Sequence, residues 1–481
     1  MTATTAPATN RKLAFSSLFL VEMWERFGYY GMTAVVLLYM VEKLGYSDTR
    51  ASLTFGAFTA MVYAFPALGG WIGDRVLGSR RMTIIGALVL ALGYVLLAIP
   101  GGPLFAALGV VAVGNGLFKA NPANLVSKVY EGDPSKIDGA FTLYYMAVNV
   151  GATLSQIATP LIAVWWGWNA AFAVCAGGLV LGVANYVLMR RHLAHVGSPP
   201  DFEPLDVKKL LVVLAGAAAA AAAVTVVIQD LGLARVVVWA ASAGLAVVFA
   251  VLIARGNATE RRGLLAVLVL TVQGILFFIF YQQMSTSLTL FALRNVDLRF
   301  WFGYEIPAAQ LQALNPIWIF ILSPLVAWAY GRMAAGRGDL SIAAKFALGF
   351  AVLAAGFFAF GLSGRFADAG KVSVWWMIGG YGLYSLGEIL ISGLGLAMVA
   401  RYVGPRLRGF VMGIWFLATG ISQYLGSYVA TYASVPENVT DPVLTLPLYV
   451  NLFLGLGVVA TVGTAVAIAL LPLMRKLSSP A

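Results

Sequence analysis

Long runs of apolar residues alternate with short polar segments along almost the whole chain. Each run has about 18 residues or more, enough for a helix to cross the hydrocarbon core of a bilayer. The pattern therefore predicts fourteen membrane-spanning helices. They cover residues 12–44, 51–73, 82–99, 104–129, 138–166, 169–189, 209–229, 233–254, 263–292, 308–332, 341–362, 373–401, 408–433 and 446–474.

The first span carries charged side chains inside its apolar run. At about 100° per residue its polar side chains share one stripe, which comprises Glu22, Glu25, Arg26, Tyr29, Tyr30 and Thr33. Glu22 and Arg26 are one turn apart, so the cation has a carboxylate beside it. An interfacial anchor with snorkelling charges is the simpler alternative, but Arg26 lies well inside the run. The stripe predicts a polar cavity within a helical bundle.

Later spans add further polar groups, two of them charged. Lys119 lies among apolar residues of the fourth span, and Glu388 is the charged group inside the span 373–401. The neutral candidates for lining the same cavity are Tyr63, Asn149, Gln283, Asn315, Ser392 and Trp415. Neutral polar side chains in membrane helices often only hydrogen-bond to a neighbouring helix, and Trp415 has packing as its alternative. The two charged residues are the stronger candidates, because unexplained charge is expensive in a membrane.

The composition excludes an ordinary soluble protein and argues against nucleic-acid binding. The chain is 60% hydrophobic and only 11% charged. Its net charge of +11 comes mostly from Lys and Arg in alternate loops, which fits the positive-inside rule. We therefore expect a multi-pass protein of the cell (inner) membrane with both termini in the cytoplasm. The N-terminal segment does not resemble a signal peptide.

The chain has few residues suited to catalysis or metal binding. Its two histidines, His192 and His195, lie outside every predicted span, and Cys175 is its one cysteine. This excludes a membrane-embedded histidine switch and a cysteine metal site. A membrane-embedded hydrolase or transferase would need a nucleophile with its base, or a metal cluster. We therefore predict no enzymatic activity, no metal and no cofactor.

Several motifs resemble those of one transporter family. Residues 22–31 match every fixed position of ExxERFxYYG, the signature of the proton-coupled oligopeptide transporters, a branch of the major facilitator superfamily. Residues 144–151 resemble the family's FYxxINxG, with Tyr144 in place of Phe and Val148 in place of Ile. Residues 312–316 resemble its QxLNP, and residues 70–81 resemble the facilitator loop GxxxDRxxGRR except at Ser79. Many members carry ionisable residues where Thr33 and Gln282 stand, and both are neutral here.

The resemblance implies an all-α integral membrane protein with the major facilitator fold. It would have two six-helix bundles, over 12–192 and 263–476, with an extra helix pair of the bacterial type over 207–255. That pair is nearly all Ala, Val and Leu and offers no polar face. A faint repeat at an offset of 258 residues aligns Pro66 with Pro324 and Gly73 with Gly331, as expected for related halves.

The resemblance also implies a function. It is proton-driven symport of di- and tripeptides into the cell by alternating access around a central amphoteric cavity. Protons are the coupling ion, the bilayer is the surrounding phase, and we expect a monomer. The alternative is a major facilitator transporter of drugs or organic ions, but Arg26 and Lys119 disfavour a site for cations.

The resemblance and the charge layout together assign roles to the candidate residues. Arg26 and Lys119 would bind the peptide carboxylate. The amino end would meet Glu388, Asn315 and Asn149. The rest of the peptide site would be formed by Tyr29, Tyr30, Tyr63, Gln283, Ser392 and Trp415. Proton coupling would involve Glu22, Glu25, Glu388 and Lys119, and gating would involve Asp74 and Arg75. The sequence does not identify the charges that close the outer side, for which Arg50 and Glu305 are candidate partners.

Overall fold

The computed structural model describes residues 11–300, 303–336, 340–436 and 439–478, and these are almost entirely helical. The first part of the chain forms α1 (Arg11–Leu38), α2 (Asp48–Val62), α3 (Pro66–Ile72), α4 (Ser79–Ala98), α5 (Leu104–Val129), α6 (Pro134–Trp166) and α7 (Trp168–Met189). Two helices follow, α8 (Val207–Gln229) and α9 (Leu231–Arg255). The remainder forms α10 (Ala258–Gln282), α11 (Ser287–Asn295), α12 (Leu314–Gly336), α13 (Ile342–Leu362), α14 (Val374–Ile391), α15 (Leu394–Tyr402), α16 (Pro405–Ala430), α17 (Pro442–Ala469) and α18 (Leu471–Ser478). Two short strands, β1 (Val296–Asp297) and β2 (Val372–Ser373), pair in parallel.

The fourteen predicted spans coincide with helices along the described ranges. Eleven helical stretches of the described residues are long and apolar enough to cross a membrane. The other three spans correspond to α1, the pair α14 and α15, and α16. The chain is therefore a multi-pass membrane protein.

Three spans are interrupted within the membrane-spanning stretch. The second breaks between Val62 and Pro66, and Pro66 suits the first turn of α3 because that turn needs no N–H from it. In the ninth, 263–292, a 3₁₀ turn (Gln283–Ser285) separates α10 from α11. In the twelfth, 373–401, α14 ends at Ile391 and α15 begins after Gly393. Hydropathy alone predicted each of these as one continuous span, which was wrong at the breaks.

Contacts within the chain define two compact units. Unit 1 contains the residues up to Val35 and Met61–Gln229. Unit 2 contains Val36–Ala60 and the residues from Asp230 onward. The C-terminal end of α1 and most of α2 therefore belong to the same unit as the helices of the second half of the chain. These two units do not test the bundle boundaries predicted from the sequence, which are 12–192, 207–255 and 263–476. Those boundaries stay predictions.

Glycines set the helix spacing in unit 1. A Cβ on Gly69 of α3 would lie 2.0 Å from the carbonyl oxygen of Gly116 in α5, so the two backbones touch there. A Cβ on Gly151 of α6 would lie 2.3 Å from the carbonyl oxygen of Met23 in α1. Around these contacts α4 packs against α5 and α7, and α8 packs on the outside of α5. This close packing fixes the position of the polar stripe on α1.

Aromatic side chains fill the interior of unit 2. Phe280 of α10 lies edge-on to Phe350 of α13, and Phe357 and Phe360 continue the contact towards Phe453 of α17. The helix α10 packs against α16, and α13 packs against α14 and α17. The helix α9 lies against α10 and α16 and is mostly exposed, as α8 is in unit 1. The apolar surfaces of α8 and α9 are typical of helices that face lipid.

Candidate substrate-binding site

The polar stripe of α1 forms a buried charge cluster in unit 1. Arg26 Nε lies 3.2 Å from Glu22 Oε1, and Arg26 Nη2 lies 2.5 Å from Glu25 Oε2. Arg26 and Glu22 are each 4% exposed, and Glu25 is completely buried. The helical spacing predicted the Glu22 contact, and Glu25 reaches the neighbouring Nη2 on the same edge of the guanidinium.

Each carboxylate also accepts a hydrogen bond from a neutral side chain on another helix. The hydroxyl of Tyr144 on α6 donates to Glu22 Oε2 at 2.5 Å. The amide of Asn115 on α5 donates to Glu25 Oε1 at 3.2 Å. Sequence reasoning did not assign either donor. The signal for Tyr144 was present, since it is the residue that departs from the family's phenylalanine.

Lys119 extends this cluster towards the break in the second span. Its Nζ lies 4.6 Å from the ring centroid of Tyr63, in the segment between α2 and α3. The ammonium is also within electrostatic range of Glu22 and Glu25. Cation–π contact of this kind offsets part of the cost of a buried ammonium. The structure therefore brings Arg26, Lys119 and Tyr63 into one unit, together with the two carboxylates.

Three other residues predicted for the site lie in unit 1, Tyr29 and Tyr30 on α1 and Asn149 on α6. The guanidinium of Arg26 lies 5.6 Å from the ring centroid of Tyr29, which meets the ring of Tyr30 edge-on. Both tyrosines remain partly exposed. Asn149 of α6 is buried, and its amide donates to the carbonyl of Tyr145 one turn earlier.

Glu388 forms a second, smaller cluster in unit 2. Asn315 Nδ2 donates to Glu388 Oε2 at 2.6 Å and lies 3.1 Å from Ser385 Oγ. Glu388 is 6% exposed, and the described residues place no Lys, Arg or His within 4 Å of its carboxylate. Ser392 caps α14, with its backbone N–H donating to the carbonyl of Glu388. The sequence analysis grouped Glu388 with Asn315 and with Asn149, and Asn149 lies in unit 1.

Two residues of unit 2 that were predicted to line the site, Gln283 and Trp415, contact other residues of the protein. Gln283 is fully buried, and its amide donates to the carbonyls of Ile279 and Gly426. The indole of Trp415 fits against Gly274 and Gly395, whose added Cβ atoms would lie 2.4 and 2.2 Å from it. Both residues therefore have well-defined structural contacts in this conformation.

The predicted gating residue Asp74 belongs to a polar cluster at the end of α3. Its Oδ1 accepts hydrogen bonds from Asn124 Nδ2 at 2.6 Å and Ser198 Oγ at 2.8 Å, and it lies 3.8 Å from Lys128 Nζ. Its neighbour Arg75 is exposed. Ser198 lies in the segment between α7 and α8, so this segment is docked against the end of α3.

The docked segment, residues 193–203, also caps α4. Asp201 Oδ2 accepts from the backbone N–H of Arg80 at 3.1 Å, and Oδ1 lies 3.4 Å from the N–H of Arg81. The two arginines in turn donate to backbone carbonyls of the segment, at Leu193 and Pro200 among others. A carboxylate at a helix N-terminus is favourable both as a hydrogen-bond acceptor and as a charge.

A further ion pair in unit 2 joins α2 to α11. Arg294 Nη1 and Nη2 donate to Asp48 Oδ2 and Oδ1 at 2.6 and 2.7 Å. The sequence offered Arg50 and Glu305 as candidate partners at the outer side. Arg50 instead lies over the ring of Tyr46, and the described ion pairs do not include it, so this pair is not formed in the structure.

The fold and these clusters define a class of protein: a multi-pass transporter of the major facilitator fold. A family profile described as "PTR2: POT family" matches residues 80–446. The chain belongs to this family. It is 42% identical to dipeptide and tripeptide permease A of Escherichia coli over 97% of this chain and 93% of that protein. It is also 42% identical to dipeptide and tripeptide permease B of Aliivibrio fischeri, over 96% and 94% of the two chains.

Solved structures give the same result. The chain resembles a crystal structure of tetrameric PepTSo2, with 50% identity, a TM-score of 0.89, and coverage of 97% of this chain and 99% of that one. It also resembles a peptide transporter POT in complex with sulfate, with 26% identity, a TM-score of 0.85, and coverage of 96% and 95%. The family and the fold inferred from the sequence motifs are thereby confirmed.

Proposed function

We propose that the chain is a symporter that takes up di- and tripeptides with protons by alternating access. The names of its relatives support the substrate class, since the two permeases above are described as dipeptide and tripeptide permeases. Proton coupling rests on the family resemblance and on the buried acids. No cofactor beyond the proton is required, and the role is transport and not catalysis.

The observation that carries this proposal is the unequal distribution of buried charge. Unit 1 holds Arg26 and Lys119 beside two carboxylates, and unit 2 holds Glu388 with a neutral partner, Asn315. A zwitterion with amide groups between its charges matches these groups. Arg26 and Lys119 bind the carboxylate of the peptide, and Glu388 with Asn315 binds its ammonium.

The buried acids also provide sites for the coupled proton. Glu22 and Glu25 both lie against the guanidinium of Arg26. Glu388 accepts one hydrogen bond from a neutral donor, and the ion pairs among the described residues do not include it. We therefore assign the exchangeable proton to Glu388, and we include Lys119 among the residues of proton coupling.

We further propose that both termini lie in the cytoplasm and that the protein resides in the inner membrane. The distribution of Lys and Arg along the sequence supports this orientation. In this orientation Asp48 and Arg294 lie at the outer side, and Asp74 lies at the inner side. Because one chain carries all the residues assigned above, we expect a monomer to be competent. PepTSo2 is described as tetrameric, so light scattering of the purified protein should accompany any transport assay.

Proteoliposomes test the proposal directly. Purified protein should concentrate a labelled dipeptide inside vesicles when the exterior is acidic, and should only equilibrate it when the gradient is collapsed by an ionophore. Single amino acids and organic cations serve as comparison substrates. Accumulation of organic cations without peptide would contradict the proposal and favour the drug transporter.

A further inference from the structure

We propose that the Tyr144 hydroxyl is a positioning group that holds Glu22 to a single-oxygen contact with Arg26, leaving Arg26 free to bind the peptide carboxylate. The inference rests on the proposed function and assigns a role to a residue that departs from the family motif. It concerns unit 1 alone, where all the contacts involved are found.

The geometry divides the two oxygens of Glu22 between two donors. Oε1 lies 3.2 Å from Arg26 Nε, while Oε2 accepts the hydroxyl of Tyr144 at 2.5 Å. Short O–H···O⁻ contacts of this length are typical of the stronger, charge-assisted hydrogen bonds. The hydroxyl therefore keeps Oε2 turned towards α6 and away from the guanidinium.

A phenylalanine at this position would leave Oε2 buried without that donor. Burial of an unpaired carboxylate oxygen is costly, so we expect Oε2 of Glu22 to move towards another hydrogen-bond donor. The nearest charged groups are Arg26 and Glu25 on its own helix and Lys119 on α5. Repulsion excludes Glu25, and a two-oxygen contact with Arg26 is the geometry that carboxylates and guanidinium groups prefer.

Such a contact would occupy the group that the peptide needs. A guanidinium has five N–H donors in a rigid fork, and Glu25 already lies against Nη2 of Arg26. A bidentate Glu22 would take both Nε and Nη2, so Glu25 would have to move to the remaining edge at Nη1, and less would be left for an incoming carboxylate. The hydroxyl of Tyr144 thus favours substrate binding without touching the substrate.

Tyr144→Phe tests this role with the smallest possible change, because it restores the residue of the family motif. The matched control is Tyr186→Phe on α7, another buried tyrosine of unit 1, whose hydroxyl has no hydrogen-bond partner among the described residues. Binding of a free dipeptide and of its C-terminal amide is measured on both variants and on the wild type.

We expect Tyr144→Phe to raise the Kd and KM for the free dipeptide about tenfold, the lower range for one hydrogen bond to a charged group. The maximal rate of peptide exchange should stay within about twofold of wild type. The amide, which does not need Arg26, should bind to wild type and variant within about threefold. A general packing defect would weaken both ligands alike, and Tyr186→Phe should change neither.

A double-mutant cycle with Glu22→Gln gives an independent check. If the hydroxyl acts through Glu22, Tyr144→Phe should have less than about threefold effect on Kd in that background. Unchanged Kd in Tyr144→Phe, equal losses for the free dipeptide and the amide, or additive effects in the cycle would each overturn the inference while leaving the proposed function intact. A wild-type protein that binds no dipeptide would overturn both.

Discussion

Arg294 donates hydrogen bonds to both carboxylate oxygens of Asp48, and this ion pair joins the start of α2 to the end of α11. Asp48 is 2% exposed and also accepts the backbone N–H of Val435, while Arg294 donates to the hydroxyl of Tyr449. The contact explains why residues 36–60 belong to unit 2, although they precede the helices of unit 1 in sequence.

Removing one partner of this pair should be costly. Asp48→Ala leaves a largely buried guanidinium without its counter-ion, and we expect a loss of about 3 kcal/mol in the free energy of unfolding. Arg11→Ala is the control, since it removes an exposed contact of 3.5 Å with Asp133 and should cost less than about 1 kcal/mol. Denaturant unfolding in detergent measures both. Equal losses would mean that the Asp48–Arg294 pair is not structurally important.

The contact between α3 and α5 should tolerate no side chain. Gly69→Ala places a methyl group 2.0 Å from the carbonyl oxygen of Gly116, and overpacking of this kind costs about 1–3 kcal/mol. Gly177→Ala on α7 is the matched control, because a Cβ there meets nothing within 4 Å. It should be neutral or stabilising by up to about 1 kcal/mol. The thermal unfolding temperature should therefore fall for Gly69→Ala, whereas it should stay unchanged or rise for Gly177→Ala. Equal stability of the two would show that the helices can separate freely.

The cap on α4 should matter in proportion to the N–H groups it satisfies. Asp201→Ala removes the acceptor for the N–H groups of Arg80 and Arg81 and should cost about 1–2 kcal/mol. Glu131→Ala, at an exposed position of the same unit, should leave stability unchanged. Hydrogen exchange at the first turn of α4 would localise the effect. Unchanged protection there in Asp201→Ala would contradict the capping role.

The sequence predicted the helices of this protein better than it predicted which distant residues contact each other. Apolar runs locate helices because a bilayer requires about 20 apolar residues and full internal hydrogen bonding, and both are local properties. The stripe of α1 and the Glu22–Arg26 contact follow from helical spacing alone. Tyr144 and Asp201 are different, since each meets its partner more than 100 residues away in sequence.

The breaks inside three spans were also not predictable from hydropathy, which averages over a window longer than a break. Gln283 shows a related limit. A polar residue in an apolar run can face a cavity or satisfy backbone carbonyls, and its sequence context is the same in both cases. The contact with Ile279 and Gly426 became visible only in three dimensions.

Proton coupling should depend on Glu388. Glu388→Gln keeps the hydrogen bond to Asn315 possible but cannot take up or release a proton, so accumulation driven by a pH gradient should fall to the level without a gradient. Exchange between preloaded and external peptide should partly survive, because it needs no net proton transfer. Lys119→Ala should show the same split. Glu260→Gln, in the exposed capping box of α10, is the control for an acid-to-amide change. Full accumulation by Glu388→Gln would move the coupling proton to Glu22 or Glu25.

The central claim is that opposite ends of the peptide are bound by Arg26 and by Glu388. Binding of a free dipeptide, its N-acetyl derivative and its C-terminal amide to wild type, Arg26→Lys and Glu388→Gln tests it most directly. Arg26→Lys should weaken the free and N-acetylated peptides by about tenfold or more and leave the amide nearly unchanged, because a lysine cannot reproduce the planar fork. Glu388→Gln should weaken the free dipeptide and the amide and leave the N-acetyl derivative nearly unchanged. Equal losses for all three ligands in each variant would contradict the account.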